Sequence, residues 1–233
     1  MQHLFRLLLL FCVLIGSITT RAQQPTDLKG KKLGFFIDSK TFSFDETYYL
    51  PAAEFLKVEE DRSAGAKVKN ELMVRLGEIF VDQLQAATEA DTVIFLNADL
   101  RRGKAFREVY TSGSKRMVKM PAALQGIDEV WVMGKMELTS RRENLSYIRS
   151  NRIVTQRLVV KVGQMQMVHF TLGGNNSAGE TTQIIFDARK STCKVPRTFD
   201  FFADSSSLGK FFSDLFSNWW SGYQQGISNQ ECR

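Results

Sequence analysis

Hydrophobic positions along the chain follow two periods, one helical and one extended. Between 205 and 226, Leu208, Phe211, Phe212, Leu215, Phe216, Trp219 and Tyr223 recur at steps of three and four, which on a helix makes one wide aromatic stripe. The serines in front offer an N-cap and Gly226 a stop. Residues 66–87 repeat the spacing, with Val68, Leu72, Leu76, Ile79, Phe80 and Leu84 on one face and Lys67, Lys69, Glu71, Arg75, Glu78 and Asp82 on the rest. That is an amphipathic helix made to cover a sheet.

The extended stretches lie around and between these helices. LGFFI at 33–37 reads as a buried first strand and TVIFL at 92–96 as another, so strand, helix and strand follow in the order of a parallel crossover. Residues 39–62 mix aromatics and acids without a period and read as a long loop with a turn of helix. A short helix closes at 122–127. DEVWVMGKMELT at 128–139 alternates, placing Val130, Val132, Met136 and Leu138 on one side and Trp131, Met133, Lys135 and Glu137 on the other. Further strands at 153–162, 165–172 and, after a Gly/Asn-rich turn, 181–188 complete an antiparallel meander. The expected fold is therefore α/β (α+β): a mixed, largely antiparallel sheet in a single domain, 23–233, covered by the helices at 67–84 and 205–226. The aromatic stripe is expected to bury itself in this core. The other readings of it are a partner face, with Trp220 widening the stripe, and a membrane surface, which its weakly basic polar side does not favour.

Composition adds a compartment. Arg6, the apolar run 7–15 and the small and polar residues ending at Ala22 have the layout of a secretory signal peptide, 1–22, too short to span a bilayer. Its removal takes Lys+Arg from 31 to 29 against 25 Asp+Glu, and also His3 and Cys12. In an oxidising compartment the remaining cysteines, Cys193 and Cys232, are expected to pair, closing a loop of about forty residues worth roughly 4 kcal/mol in the chain-entropy account. The expected location is periplasmic or secreted.

Candidate chemistry changes the picture little. Residues 99–120 are the most basic stretch, with Arg101, Arg102, Lys104, Arg107, Lys115, Arg116 and Lys119. They read as a solvated loop face or as a seat for an anionic partner such as lipid headgroups, a cell-wall polymer or an acidic protein. No nucleic-acid-binding module accompanies them. Ser112 to Lys115 match S-x-x-K, without the K-T-G and S-D-N partners that a penicillin-binding acyltransferase needs. His169 sits in a strand with Met165, Met167 and Thr171 on its face, and no second histidine remains to build a metal site. No cofactor, metal or catalytic residue is expected.

The helix at 67–84 together with GIDEVWVMGKMEL at 126–138 resembles the envelope α/β domain shared by the curli secretion component CsgG and the periplasmic activators of penicillin-binding proteins. The resemblance implies a non-enzymatic accessory domain that works by protein contact at the bacterial envelope, and it carries over no site residue. The rivals are an enzyme acting on cell-wall or other anionic polymer through the basic stretch, and a carrier of a small apolar ligand held between sheet and aromatic helix.

Overall fold

The computed structural model describes residues 28–44, 53, 56–57, 64–111, 117–149, 152–172, 181–183, 185–195, 205–227 and 229–231. In chain order the elements are β1 (Lys32–Ile37), β2 (Phe42–Phe44), α1 (Ala64–Thr88), β3 (Thr92–Phe95), a 3-10 turn (Leu96–Ala98), α2 (Leu100–Thr111), β4 (Met117–Lys119), a 3-10 turn (Ala122–Leu124), β5 (Glu129–Arg149), β6 (Arg152–Thr171), β7 (Thr181–Gln183), β8 (Ile185–Val195), α3 (Ser205–Gln224) and β9 (Asn229–Glu231). The two expected helices form as α1 and α3, and Gly226 ends α3 at φ +73°, a left-handed stop that suits glycine.

The main sheet runs β3-β1-β5-β6-β8-β9, with β2 beside β5. The α/β class stands, but the expected antiparallel bias is corrected. β1 is parallel to both β3 and β5, β2 is parallel to β5 and β9 to β8, while β5/β6 and β6/β8 are the antiparallel pairs of this sheet among the described residues and β4/β7 form a separate antiparallel pair. The parallel half follows from the crossover β1–α1–β3 and from a second crossover through α2, which returns β5 to the other side of β1. A side chain extends this half: the Asn97 amide accepts from Ile37 N at 2.8 Å and donates to Ile37 O at 2.9 Å, continuing the ladder where β3 has stopped.

Helices cover both faces. On one side α1 and α3 lay Val68, Leu72, Leu76, Phe80, Phe212 and Trp219 over Leu33, Phe35, Trp131 and Met165. On the other, Phe106 and Val109 of α2 meet Phe36, Val130, Val132 and Phe170. The basic stretch expected as a loop is thus largely the helix of the second layer. Asp99 caps it, its Oδ1 accepting from the N–H groups of Arg101 (2.9 Å) and Arg102 (3.1 Å). Gly103 lets the helix sit close, since a Cβ there would fall 2.8 Å from the Leu96 carbonyl oxygen.

β5 departs from its expected alternation at one residue. The register against β6 shifts between Met133 and Lys135, so Gly134 is the extra residue of a β-bulge. Past it the faces exchange, and Met136 and Leu138 join Trp131 and Met133 in the core under α1 and α3 instead of following Val130 and Val132. β6 is likewise one strand, not two: pairing runs unbroken through Val162, Gly163 and Gln164.

The β5/β6 pair outruns the rest of the sheet. β5 is flanked by β1 at 129–133 and by β2 at 136–138, and β6 by β8 at 163–171. From Thr139↔Val162 to Arg149↔Arg152 the two strands pair only with each other among the described residues. At about 3.4 Å per residue, this two-stranded arm is roughly 35 Å long. Side chains of both its faces are exposed near the end, including Asn144, Ser146, Tyr147, Ile148, Arg149, Arg152, Ile153 and Thr155.

Candidate functional site

The residues singled out in the sequence do not converge. Arg101, Lys104 and Arg107 are exposed on α2, and Arg102 is half-buried, 3.5 Å from Asp99. Trp220 lies on α3, on the opposite face of the sheet. It stacks on Phe216 (centroids 6.1 Å, 11° between planes) and on Tyr223 (5.6 Å, 23°), and meets the Trp131 ring edge-on at 6.0 Å. It belongs to the margin of the core. Lys115, Arg116, the S-x-x-K run, Cys232 and residues 1–22 lie outside the described residues. Cys193 is in β8, opposite Gln230 of the C-terminal strand β9.

What α2 builds is a cationic surface over the carboxyl end of β1. The helix spends Phe106, Val109 and the half-buried Tyr110 on the sheet, and turns Arg101, Lys104 and Arg107 outward. Leu100 at its start is 87% exposed. Arg107 reaches back across its own helix: its guanidinium donates to Ser39 Oγ at 3.2 Å and lies 5.9 Å from the centre of the Phe36 ring. Asp38 folds the adjoining turn, its Oδ1 accepting from Lys40 N at 3.1 Å. Burial, and then the negative charge of Asp38, push the Tyr110 phenol above its ordinary range, so it stays a neutral hydroxyl. Asp38 and Asp99 are held in turn and cap bonds, and Glu108, exposed beside Arg107, is the carboxylate of the helix itself.

A second polar group lies at the other end of the parallel strands. Glu129, first residue of β5, is 1% exposed and His169 of β6 is 4% exposed. His169 Nε2 lies 2.6 Å from Glu129 Oε2, and Lys31 Nζ pairs with Glu129 Oε1. The Trp131 ring stacks on His169 at 4.3 Å and 14°. Burial raises the Glu129 pKa, but hydrogen bonds and charge from His169 and Lys31 outweigh it and hold the carboxyl below its ordinary range. An ionised Glu129 can only accept, so the imidazole and the ammonium both donate to it. His169, expected as a structural or half-exposed strand residue, is thus buried at one end of a network whose middle is Glu129. Glu129 and Lys31 were missed in the sequence, although the strand period places Glu129 on the face of Trp131; the sheet register then sets it diagonally across from His169.

The space between the sheet and α3, where a carrier would hold an apolar ligand, is filled by rings: Trp131 meets Trp219 at 5.4 Å and Tyr223 at 4.8 Å, and Phe80 meets Phe216 at 5.2 Å. An open groove of about 400 Å³ lies elsewhere, on the flank of α1 beside β3, between Val74, Glu78, Ile79 and Phe95. Among the described residues, no three His, Cys, Asp or Glu side chains are grouped as metal ligands, and no helix is long and apolar enough to cross a membrane. No protein-family model matches the chain, and no curated protein matches it.

Proposed function

We propose that this chain is an exported, non-catalytic accessory protein of the bacterial envelope that acts by docking on another envelope protein. One observation carries the reading: α2 buries an apolar edge in the sheet and presents Arg101 and Lys104 outward beside the exposed Leu100. A helix fixed on a rigid sheet, with cations around one exposed apolar side chain, suits an acidic protein surface with an apolar centre. The leader pattern at 1–22 supports export, and the resemblance to the CsgG-like domain supports an accessory role.

A photo-crosslinking amino acid in place of Lys104, in the native host, is expected to trap one envelope protein reproducibly. The same probe in place of Glu71, exposed on α1 across the sheet, should trap none. Equal trapping at both positions, or none at Lys104, overturns the proposal. It includes the Cys193–Cys232 disulfide, favoured by the seat of β9 beside β8. Intact mass after alkylation without reductant should show no modified thiol, and two alkylated thiols would refute the bond.

A further inference from the structure

We infer that the end of the β5/β6 arm is a docking site for an anionic lipid bilayer, a contact separate from the α2 surface. The observations are length, charge and exposure. Residues 139–162 contain Arg141, Arg142, Arg149, Arg152, Arg157 and Lys161 against Glu143 alone. Six cations and one acid give this stretch a net charge of +5. Charge concentrated in that way marks an anionic partner.

The tip adds the apolar component. Ile148 and Ile153 are direct cross-strand partners and are 77% and 78% exposed. Tyr147, 39% exposed, pairs with Val154 on the opposite face. Arg149 and Arg152 pair directly at the last rung. Like charges facing each other across two strands oppose the pairing, and phosphates between them would reverse that. A two-stranded ribbon is marginal in water by itself, so an arm of this length with exposed side chains near its end gains from being seated.

The exposed isoleucine pair, the tyrosine one rung further in and the arginine pair one rung further out together supply the apolar, interfacial and phosphate-binding side chains that an anionic bilayer surface takes. An acidic protein groove would need the apolar pair and the cations on one side, whereas here Ile148/Ile153 and Arg149/Arg152 are on opposite faces and only a surrounding medium meets both. Pairing with the arm of a second copy would set two such cationic edges together.

The test is flotation of the full chain with phosphatidylcholine vesicles, with and without phosphatidylglycerol, comparing the natural chain with R149Q/R152Q and with I148S/I153S. All four positions are exposed, so the body of the fold is untouched, and residues 1–22 are common to every protein compared. The proposal expects binding that depends on phosphatidylglycerol, weakens with added salt, and falls about fivefold per arginine, roughly thirty-fold for R149Q/R152Q. I148S/I153S should also weaken it. Equal binding to both vesicle types, or variants that bind like the natural chain, overturns it. So does concentration-dependent dimerisation abolished by I148S/I153S in the absence of vesicle binding, which would assign the tip to a second copy.

Discussion

Gly77 lies in the middle of α1, where replacing glycine by alanine ordinarily stabilises a helix by about 1 kcal/mol. Here the opposite sign is expected. The tip of the Phe95 ring points at the Gly77 Cα, and a Cβ would fall 2.5 Å from both Cε1 and Cε2 of Phe95. Either the ring leaves or the helix lifts from β3. Expelling the half-buried ring forfeits about 1.5 kcal/mol of burial, and losing its stack on Phe35, 6.1 Å away at 29°, forfeits about 0.5–1.5 kcal/mol more. Against the helix gain, Gly77→Ala should therefore destabilise by about 1–2 kcal/mol. Removing the ring first should restore the ordinary sign: in a Phe95→Ala background, Gly77→Ala is expected to stabilise by roughly 0.5–1 kcal/mol. Urea unfolding of the four proteins reads this as a coupling of about 2 kcal/mol. Gly77→Ala raising the urea midpoint in the natural chain would refute the reasoning.

Two further perturbations address the polar and aromatic cores. Trp219 is fully buried against the Trp131, Phe216, Trp220 and Tyr223 rings, and its Nε1–H has no hydrogen-bond partner among the described residues. Trp219→Ala should cost about 3–5 kcal/mol, and Trp219→Phe much less because it also removes the unpaired donor; equal urea midpoints for the two variants would contradict this. Glu129→Gln should cost about 1–3 kcal/mol at pH 7 by removing the charge to which His169 and Lys31 donate. Because folding lowers the Glu129 pKa, its contribution is complete above the unfolded value of about 4.3 and is lost as the pH falls through the folded value. The stability gap between the natural chain and the Glu129→Gln variant should start to narrow once the pH falls below about 4.3, and a gap unchanged between pH 7 and pH 3 would exclude the assignment.

The parts of the fold legible in the sequence are those where one period runs uninterrupted. α1 and α3 carry apolar residues at every third or fourth position over about four turns, and β1 and β3 are short apolar runs on either side of α1, so the crossover could be read directly. α2 could not be read so easily, because Phe106, Val109 and Tyr110 give one helical repeat among basic residues and Gly103. Its available signal was Asp99 as an N-cap before that repeat. Gly134 and Gly163 show that glycine has no single meaning in a strand: the first is a bulge that exchanges the faces of β5, the second a paired position inside β6. The parallel pairing of β1 with β5 depends on which edge of β1 remains open after β3 has docked, a tertiary fact without a local pattern. The Lys31–Glu129–His169 group was hidden for the same reason, since its members come from three segments that only the sheet brings together.

The distance in sequence between α3 and the elements it covers has a consequence for the order of events during synthesis. β1 and α1 precede α3 by more than a hundred residues, yet Leu33, Phe35, Val68, Leu72 and Phe80 share one core cluster with Phe212, Phe216 and Trp219, which are synthesised later. Until then the nascent chain carries an open apolar layer, and closure demands contacts between its two ends, the kind of long-range step that slows folding. This layer is thus kept unfinished until α3 arrives. A product that stops short of α3 exposes the aromatic floor that the helix would have hidden, and so marks itself for degradation or aggregation.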